Sequence, residues 1–228
     1  DTFIASEHQR RGLTAVPAAD RVTLLRRVYF DLIGLPPSRE DLHSFKNDQS
    51  SEAWNRVVDK LLENPHYGER WGRHWMDVWR YSDWDGYKDQ LRGSQRHIWH
   101  WRDWIVDSLN ADKGYDQMVL EMLAGDEIAP DDDKVLSATG FLARNFHPSN
   151  RDMWLDATVE HTAKAFLGMT INCARCHEHK YDPIAMPAYY QMRAIFEPHK
   201  VRTDHLPGQL NLMKNGLPRV YDADLETE

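Results

Sequence analysis

An irregular, all-α multi-helix fold is what this sequence predicts, and three observations predict it. Apolar residues recur three and four positions apart along most of the 228-residue chain, the spacing that lines one face of a helix. No apolar–polar alternation runs longer than about four residues, so the strand pattern is missing. Glycine, proline and asparagine interrupt the helical pattern at intervals, without low-complexity tracts or an internal repeat.

Taken in order, Val22, Leu25, Val28, Tyr29 and Leu32 mark a helix stopped by Gly34 ahead of Pro36-Pro37. Ser38 opens a short acidic helix to about Phe45, with Asp41 in the capping-box position. Ser51 opens the next, which carries Trp54, Val57, Val58, Leu61 and Leu62 and closes at Asn64-Pro65. A helix from about Tyr67 to Tyr81 follows. His97–Leu109 and Tyr115–Leu123 read as a pair broken near Lys113-Gly114. Residues 135–145 and 152–168 read as two more, the second ending at Gly168, and Pro187–Phe196 is the last. Pro207-Gly208, Asn215-Gly216 and Pro218 make the remainder an irregular tail. The expected organisation is one helical domain over residues 1–200 and an irregular extension or linker over 201–228.

The bulk properties exclude some classes of function. A net charge of −8, from 28 basic and 36 acidic residues, disfavours a general nucleic-acid binder, which needs a basic stripe to displace counterions. No apolar run approaches the length of a transmembrane helix. The chain opens at Asp1 without a signal-peptide pattern, so a processed or excised piece is expected.

The chemistry concentrates in Cys173-Ala174-Arg175-Cys176-His177, which contains both cysteines of the chain. Two thiols three positions apart can add to the two vinyl groups of one porphyrin, and the adjacent imidazole can then bind the iron. This is the pattern of covalent haem c, with Cys173 and Cys176 as anchors and His177 as proximal ligand. The segment falls between the last two helices. A zinc site made from both cysteines and two of His177, His179 and His199 is the arithmetic alternative; a redox or inert CxxC pair is another. Attachment needs reduced thiols in an exported compartment, so the protein is expected to be periplasmic or otherwise exported, with its export signal upstream.

Several segments together resemble a known family. They are Arg27-Val28-Tyr29-Phe30-Asp31-Leu32-Ile33-Gly34-Leu35-Pro36-Pro37, Pro65-His66-Tyr67-Gly68-Glu69-Arg70-Trp71, Arg73-His74-Trp75, Leu123-Ala124-Gly125-Asp126, and Cys173 through Ile184. They are similar to the planctomycete-type cytochrome c domain, long catalogued as a domain of unknown function. The resemblance runs from about Phe3 to His199. It implies a haem protein outside the cytoplasm, mid-chain in a large exported bacterial protein, with a cytochrome c-like domain often before it. The redox partner is then expected among the other domains of the full-length chain or in a separate protein. It implies no particular reaction.

The sixth iron ligand is left between two histidines. His161 lies among Trp154, Ala157, Thr158, Ala165 and Gly168 on its helix, mostly small neighbours that leave room for a flat group. His74 borders the apolar face of Tyr67, Trp71, Trp75, Val78 and Trp79 and belongs to the family-like Arg73-His74-Trp75. Met169, Met186, Met192 and His199 are weaker candidates, since a methionine at helical spacing is usually core. A histidine ligand predicts a low-spin iron of lower potential than a His/Met pair. His179 is too close in sequence to reach the opposite face of the same iron, and its expected role is a hydrogen bond to a propionate or to backbone. Lys180 could pair with a propionate, and solvation is its default.

Of the nine tryptophans, seven lie between Trp71 and Trp104; core packing explains them, with a haem wall or electron path as the sharper reading. Asp83, Asp85 and Asp89, around Gly86, could collect oxygen ligands for calcium, although the loop lacks the EF-hand order. Three functions stay open: electron transfer, a peroxidase-like or oxidising haem enzyme helped by Arg73, His74 or Arg144, and a structural module stapled by haem.

Overall fold

The structure is a computed structural model that describes residues 1–82, 98–145, 150–198 and 200. The Asp83–Asp89 loop, His199 and the tail 201–228 lie outside the described residues, and so does the start expected for the helix at His97. The described residues are helical and contain no strand, as the apolar spacing predicts. The chain forms two compact units, Asp1–Asn64 and Pro65–Glu228. The division falls at the Asn64-Pro65 pair, inside the stretch 1–200 read from the sequence as one domain.

In the first unit the helices are α1 (Thr2–Arg10), α2 (Arg21–Leu32), α3 (Arg39–Asn47) and α4 (Ala53–Leu62). The sequence reading missed α1. It buries no residue, and Phe3 and Ile4 are exposed, so no apolar stripe marks it. Asp20 caps α2 by accepting from the Val22 and Thr23 amides, each at 3.0 Å. Ser38 caps α3 through the Asp41 amide at 3.1 Å. Asp41 completes no backbone capping box; its carboxylate takes the Ser38 hydroxyl at 2.6 Å and Lys60 of α4 at 2.5 Å. Leu25, Tyr29, Ile33, Phe45, Ala53 and Leu61 form the core of this unit. Arg21 donates to the Phe45 and Asp48 carbonyls at 2.7 Å each, which fastens the start of α2 to the end of α3.

The second unit holds α5 (His66–Trp79), α6 (Trp99–Asn110), α7 (Tyr115–Ile128), α8 (Asp133–Ala138), α9 (Gly140–Ala143), α10 (Arg151–Thr162) and α11 (Met186–Phe196). Helices α5 and α6 approach closely at Gly68, whose amide donates to the Asn110 side chain at 2.8 Å. The tryptophans are divided. Trp79, Trp101 and Trp104 are core residues, while Trp71 and Trp99 are partly exposed. Trp75 stacks on Trp79 with ring centroids 5.0 Å apart. Glu121 is buried, and it is fully engaged by Trp104 at 3.0 Å, Lys113 at 2.6 Å and Gln117 at 3.1 Å.

Two predicted helices differ in detail. Residues 135–145 fall in α8 and α9 instead of one helix, with the junction at Thr139; Gly140, just beyond it, lies so close to Trp101 that a β-carbon there would stand 2.5 Å from the Trp101 Cβ. Helix α10 continues through a π-helical turn, Ala163–Leu167, and stops at Gly168 in the left-handed conformation, φ 64°. A short 3-10 turn, Asn172–Arg175, then carries the first cysteine toward α11.

Candidate functional site

The Cys173–His177 segment is a tight turn anchored from beneath. Ile171 and Ala174, three positions apart, are buried in the core, which leaves Cys173 and Cys176 facing outward. Both thiols are exposed and unpaired. The Cys176 and His177 amides both donate to the Cys173 carbonyl at 3.3 Å, so the turn brings the two cysteines round on one short loop.

Side chains from α10 and α11 hold this turn in place. Arg175, between the cysteines, pairs with Asp156 of α10. Asp156 is itself buried and accepts the Tyr189 hydroxyl at 2.6 Å. The Tyr190 hydroxyl donates to the Arg175 carbonyl at 3.0 Å, and Asn172 donates to Glu160 at 2.5 Å. Arg193 of α11 ties Asp152 to the same cluster. Burial and the neighbouring Asp156 carboxylate push the Tyr189 phenol well above its ordinary range. The sequence reading missed Asp156, Tyr189 and Arg193. Only the position of Arg175 inside the motif hinted that the turn needed a partner.

The two histidines of the motif are held in opposite tautomers. His177 Nδ1 lies 2.7 Å from the Glu178 carbonyl oxygen. A carbonyl only accepts, so Nδ1 carries a proton, and in the neutral ring Nε2 carries the lone pair. His179 is the reverse. Its Nδ1 accepts from the Asp182 amide at 2.9 Å and the Tyr181 amide at 3.4 Å, which leaves the proton on Nε2. The Asp182 carboxylate 3.3 Å from that Nδ1 is therefore a near contact and not an ion pair, because the nitrogen is already an acceptor. His177 offers a ligand atom, and His179 offers a hydrogen-bond donor. A zinc site would need lone pairs from two histidines beside the thiols, and His179 has spent its own on backbone. Among the described residues no three His, Cys, Asp or Glu side chains gather into a metal-holding group.

The remaining candidates are scattered. His74 is on the outer side of α5, exposed, with its ring edge-on to Trp71 at 5.5 Å. Arg73 lines a groove between α5 and α6 with Glu69, Arg102, Asp103 and Asp107. Lys180 is exposed, its ammonium 5.2 Å from the Tyr181 ring. Met169 and Met192 pack against the core, while Met186 is partly exposed. Arg144, at the end of α9, is half-buried. His161 is half-buried on α10, and its Nδ1 is shielded from solvent without a hydrogen-bond partner among the described residues. Burial first, and then the charge of Arg80, pull its pKa down to about 4, with Glu160 opposing and Lys164 and Arg144 adding.

A family model described as PSCyt2, protein of unknown function (DUF1549), matches residues 1–201. The chain belongs to this family. The match covers the first compact unit, the second as far as residue 201 and the whole Cys173–His177 turn, and it agrees with the planctomycete cytochrome resemblance of the motifs. The PSCyt2 description supplies no reaction. No curated protein and no solved structure matches the chain. Among the described residues no helix is long and apolar enough to cross a membrane.

Proposed function

We propose that this chain is a c-type haem domain, bound to one haem through Cys173 and Cys176, that passes single electrons to a redox partner outside the cytoplasm. The observation that carries the reading is the state of His177. Its Nδ1–H is held by the Glu178 carbonyl, so the Nε2 lone pair is free beside two exposed thiols. Proximal histidines are commonly oriented in this way, with the second nitrogen donating to a carbonyl.

The donor set fits haem c residue by residue. In attachment each thiol sulfur bonds to one vinyl carbon and the thiol proton passes to the other, so no oxidant is required. Arg175 is fastened to Asp156, which holds the segment between the two sulfurs in one conformation. His179 Nε2–H is a donor suited to a propionate. Leu167 and Tyr181 are 58% and 81% exposed, and Met186 and Tyr190 are also exposed, so large apolar side chains flank the turn. A flat macrocycle would cover such a rim, which otherwise meets water at a cost. Once bound, haem supplies reversible one-electron chemistry.

The test is attachment. The chain, exported with a c-type maturation system, is expected to keep its haem absorbance after denaturation in acid-organic solvent and to gain the mass of one haem. Cys173→Ala with Cys176→Ala should abolish both signals. Exported protein holding stoichiometric zinc and no haem would overturn the proposal.

A further inference from the structure

We propose that Asp156 of α10 sets the potential of the haem by cancelling the charge of Arg175. The inference rests on the haem reading above and deepens it, because it assigns residues that tune the same site.

Arg175 owes its place to the chain itself. It stands between Cys173 and Cys176 and two positions before His177, so a haem bonded to both thiols has this side chain tethered beside it. A positive charge held there opposes the extra positive charge of ferric iron and favours the ferrous form. Left alone, Arg175 would raise the potential, and its guanidinium would be free to turn to a propionate.

The Arg175 guanidinium instead pairs with Oδ2 of Asp156, an oxygen that is shielded from solvent and accepts no hydrogen bond from any other described residue. Oδ1 takes the Tyr189 hydroxyl at 2.6 Å, and Arg193 lies 3.5 Å from it. Arg193 is drawn away to Asp152 at 2.5 Å and lies 3.7 Å from Glu197. Arg175 therefore has the nearer claim on Asp156. The backbone of the turn is fixed to the same place, since the Tyr190 hydroxyl donates to the Arg175 carbonyl at 3.0 Å.

Burial makes the cancellation count. Asp156 is 8% exposed, so solvent screens its charge far less than it screens Glu178 or Asp182, which are exposed on the same stretch of chain. A brace alone needs no ions, because a buried ion pair is often replaceable by apolar side chains of the same volume without loss of stability. A buried anion behind a cation that the motif itself places next to the haem has an electrostatic use.

The experiment uses the exported, haem-loaded chain. Haem mass reports attachment, the optical spectrum reports the axial ligands, and spectroelectrochemical titration reports the potential. Asp156→Asn removes the charge and keeps an acceptor for Tyr189. It should favour the ferrous form by about three- to tenfold, an upward shift of about 30–60 mV for one electron. Arg175→Gln should move the potential downward by a similar amount. The double variant, with both charges gone, should return to within about twofold of wild type, and Arg175→Lys, which keeps the charge, should stay there too. A turn that is only braced answers differently: both single variants break one pair, so their shifts share a sign and the double variant matches them. Shifts of one sign, single-variant shifts under about twofold, a double variant that does not return, or an Arg175→Lys protein that shifts like Arg175→Gln would each overturn the assignment. Wild type without covalent haem would overturn the functional reading and this inference with it, a failure that the mass measurement shows separately.

Discussion

Replacing Asp156 by alanine tests whether the attachment turn is held by tertiary contacts or merely lies on the surface. Asp156 accepts the Tyr189 hydroxyl at 2.6 Å, pairs with Arg175, and lies 3.5 Å from Arg193. Tyr189 is 1% exposed, so Asp156→Ala strands its hydroxyl, at about 1–3 kcal/mol. The lost Arg175 pair adds only about 0–1 kcal/mol, since that side chain reaches solvent and re-hydrates. The sum is about 1–4 kcal/mol, or about 2–16 °C in Tm for a domain of this size. Tyr189→Phe removes the hydroxyl without stranding it and should cost about 1–1.5 kcal/mol. The double variant should fall short of the sum of the two by about 1–2 kcal/mol, because no buried donor is left unpaired. Urea unfolding followed by tryptophan fluorescence measures this directly, since every tryptophan except Trp54 lies in the Pro65–Glu228 unit. Asp156→Ala costing under about 1 kcal/mol, or strict additivity in the cycle, would refute the reasoning.

Two further outcomes follow from local geometry. Gly68→Ala places a β-carbon 2.5 Å from the Val106 carbonyl oxygen and 2.6 Å from Asn110 Oδ1. It should destabilise by about 2 kcal/mol, although alanine at an open helix site gains about 1 kcal/mol; a stabilised variant in the same urea titration would show that α5 and α6 do not meet there. Asp41 is held at about 2, because Lys60, Ser38 and Tyr29 bond its carboxylate and outweigh the upward push of burial. A lowered carboxylate stabilises the fold above its unfolded pKa and loses that contribution as pH falls through the folded value. About 1 kcal/mol, after allowance for solvent screening, should therefore disappear between about pH 4 and pH 2. Lys60→Ala should raise the Asp41 titration seen by NMR, and a titration still near 2 would contradict the assignment.

Much of the helical architecture was legible because its causes are local. Asp20 and Ser38 cap helices with their own side chains, and Gly168 ends one by adopting a positive φ. Each signal lies within a few residues of the boundary that it sets. Helix α1 was not legible because it buries nothing and so carries no stripe. The need for glycine at 140 was not legible either, since it comes from Trp101 on another helix. The same distinction divides the site. Cys173, Cys176 and His177 stand out because both thiols of the chain and an imidazole fall within one turn of it. Nothing near Asp156 in the sequence announces that it will hold Arg175, nineteen positions later by residue number.

What the sequence alone determined is therefore the helical class, the Cys173–His177 motif and the set of histidines around it. The tertiary structure decided how each histidine differs. His177 and His179 are the same residue type two positions apart. A carbonyl faces Nδ1 of one and amides face Nδ1 of the other, so their lone pairs fall on different nitrogens. His74 and His161 both lie on helices beside apolar residues; one ring is exposed while the other is half-buried, with a nitrogen that has no hydrogen-bond partner among the described residues. Residue type sets which protons and lone pairs exist. Their availability is set by burial and hydrogen bonding, and those partners come together only when distant stretches of the chain pack.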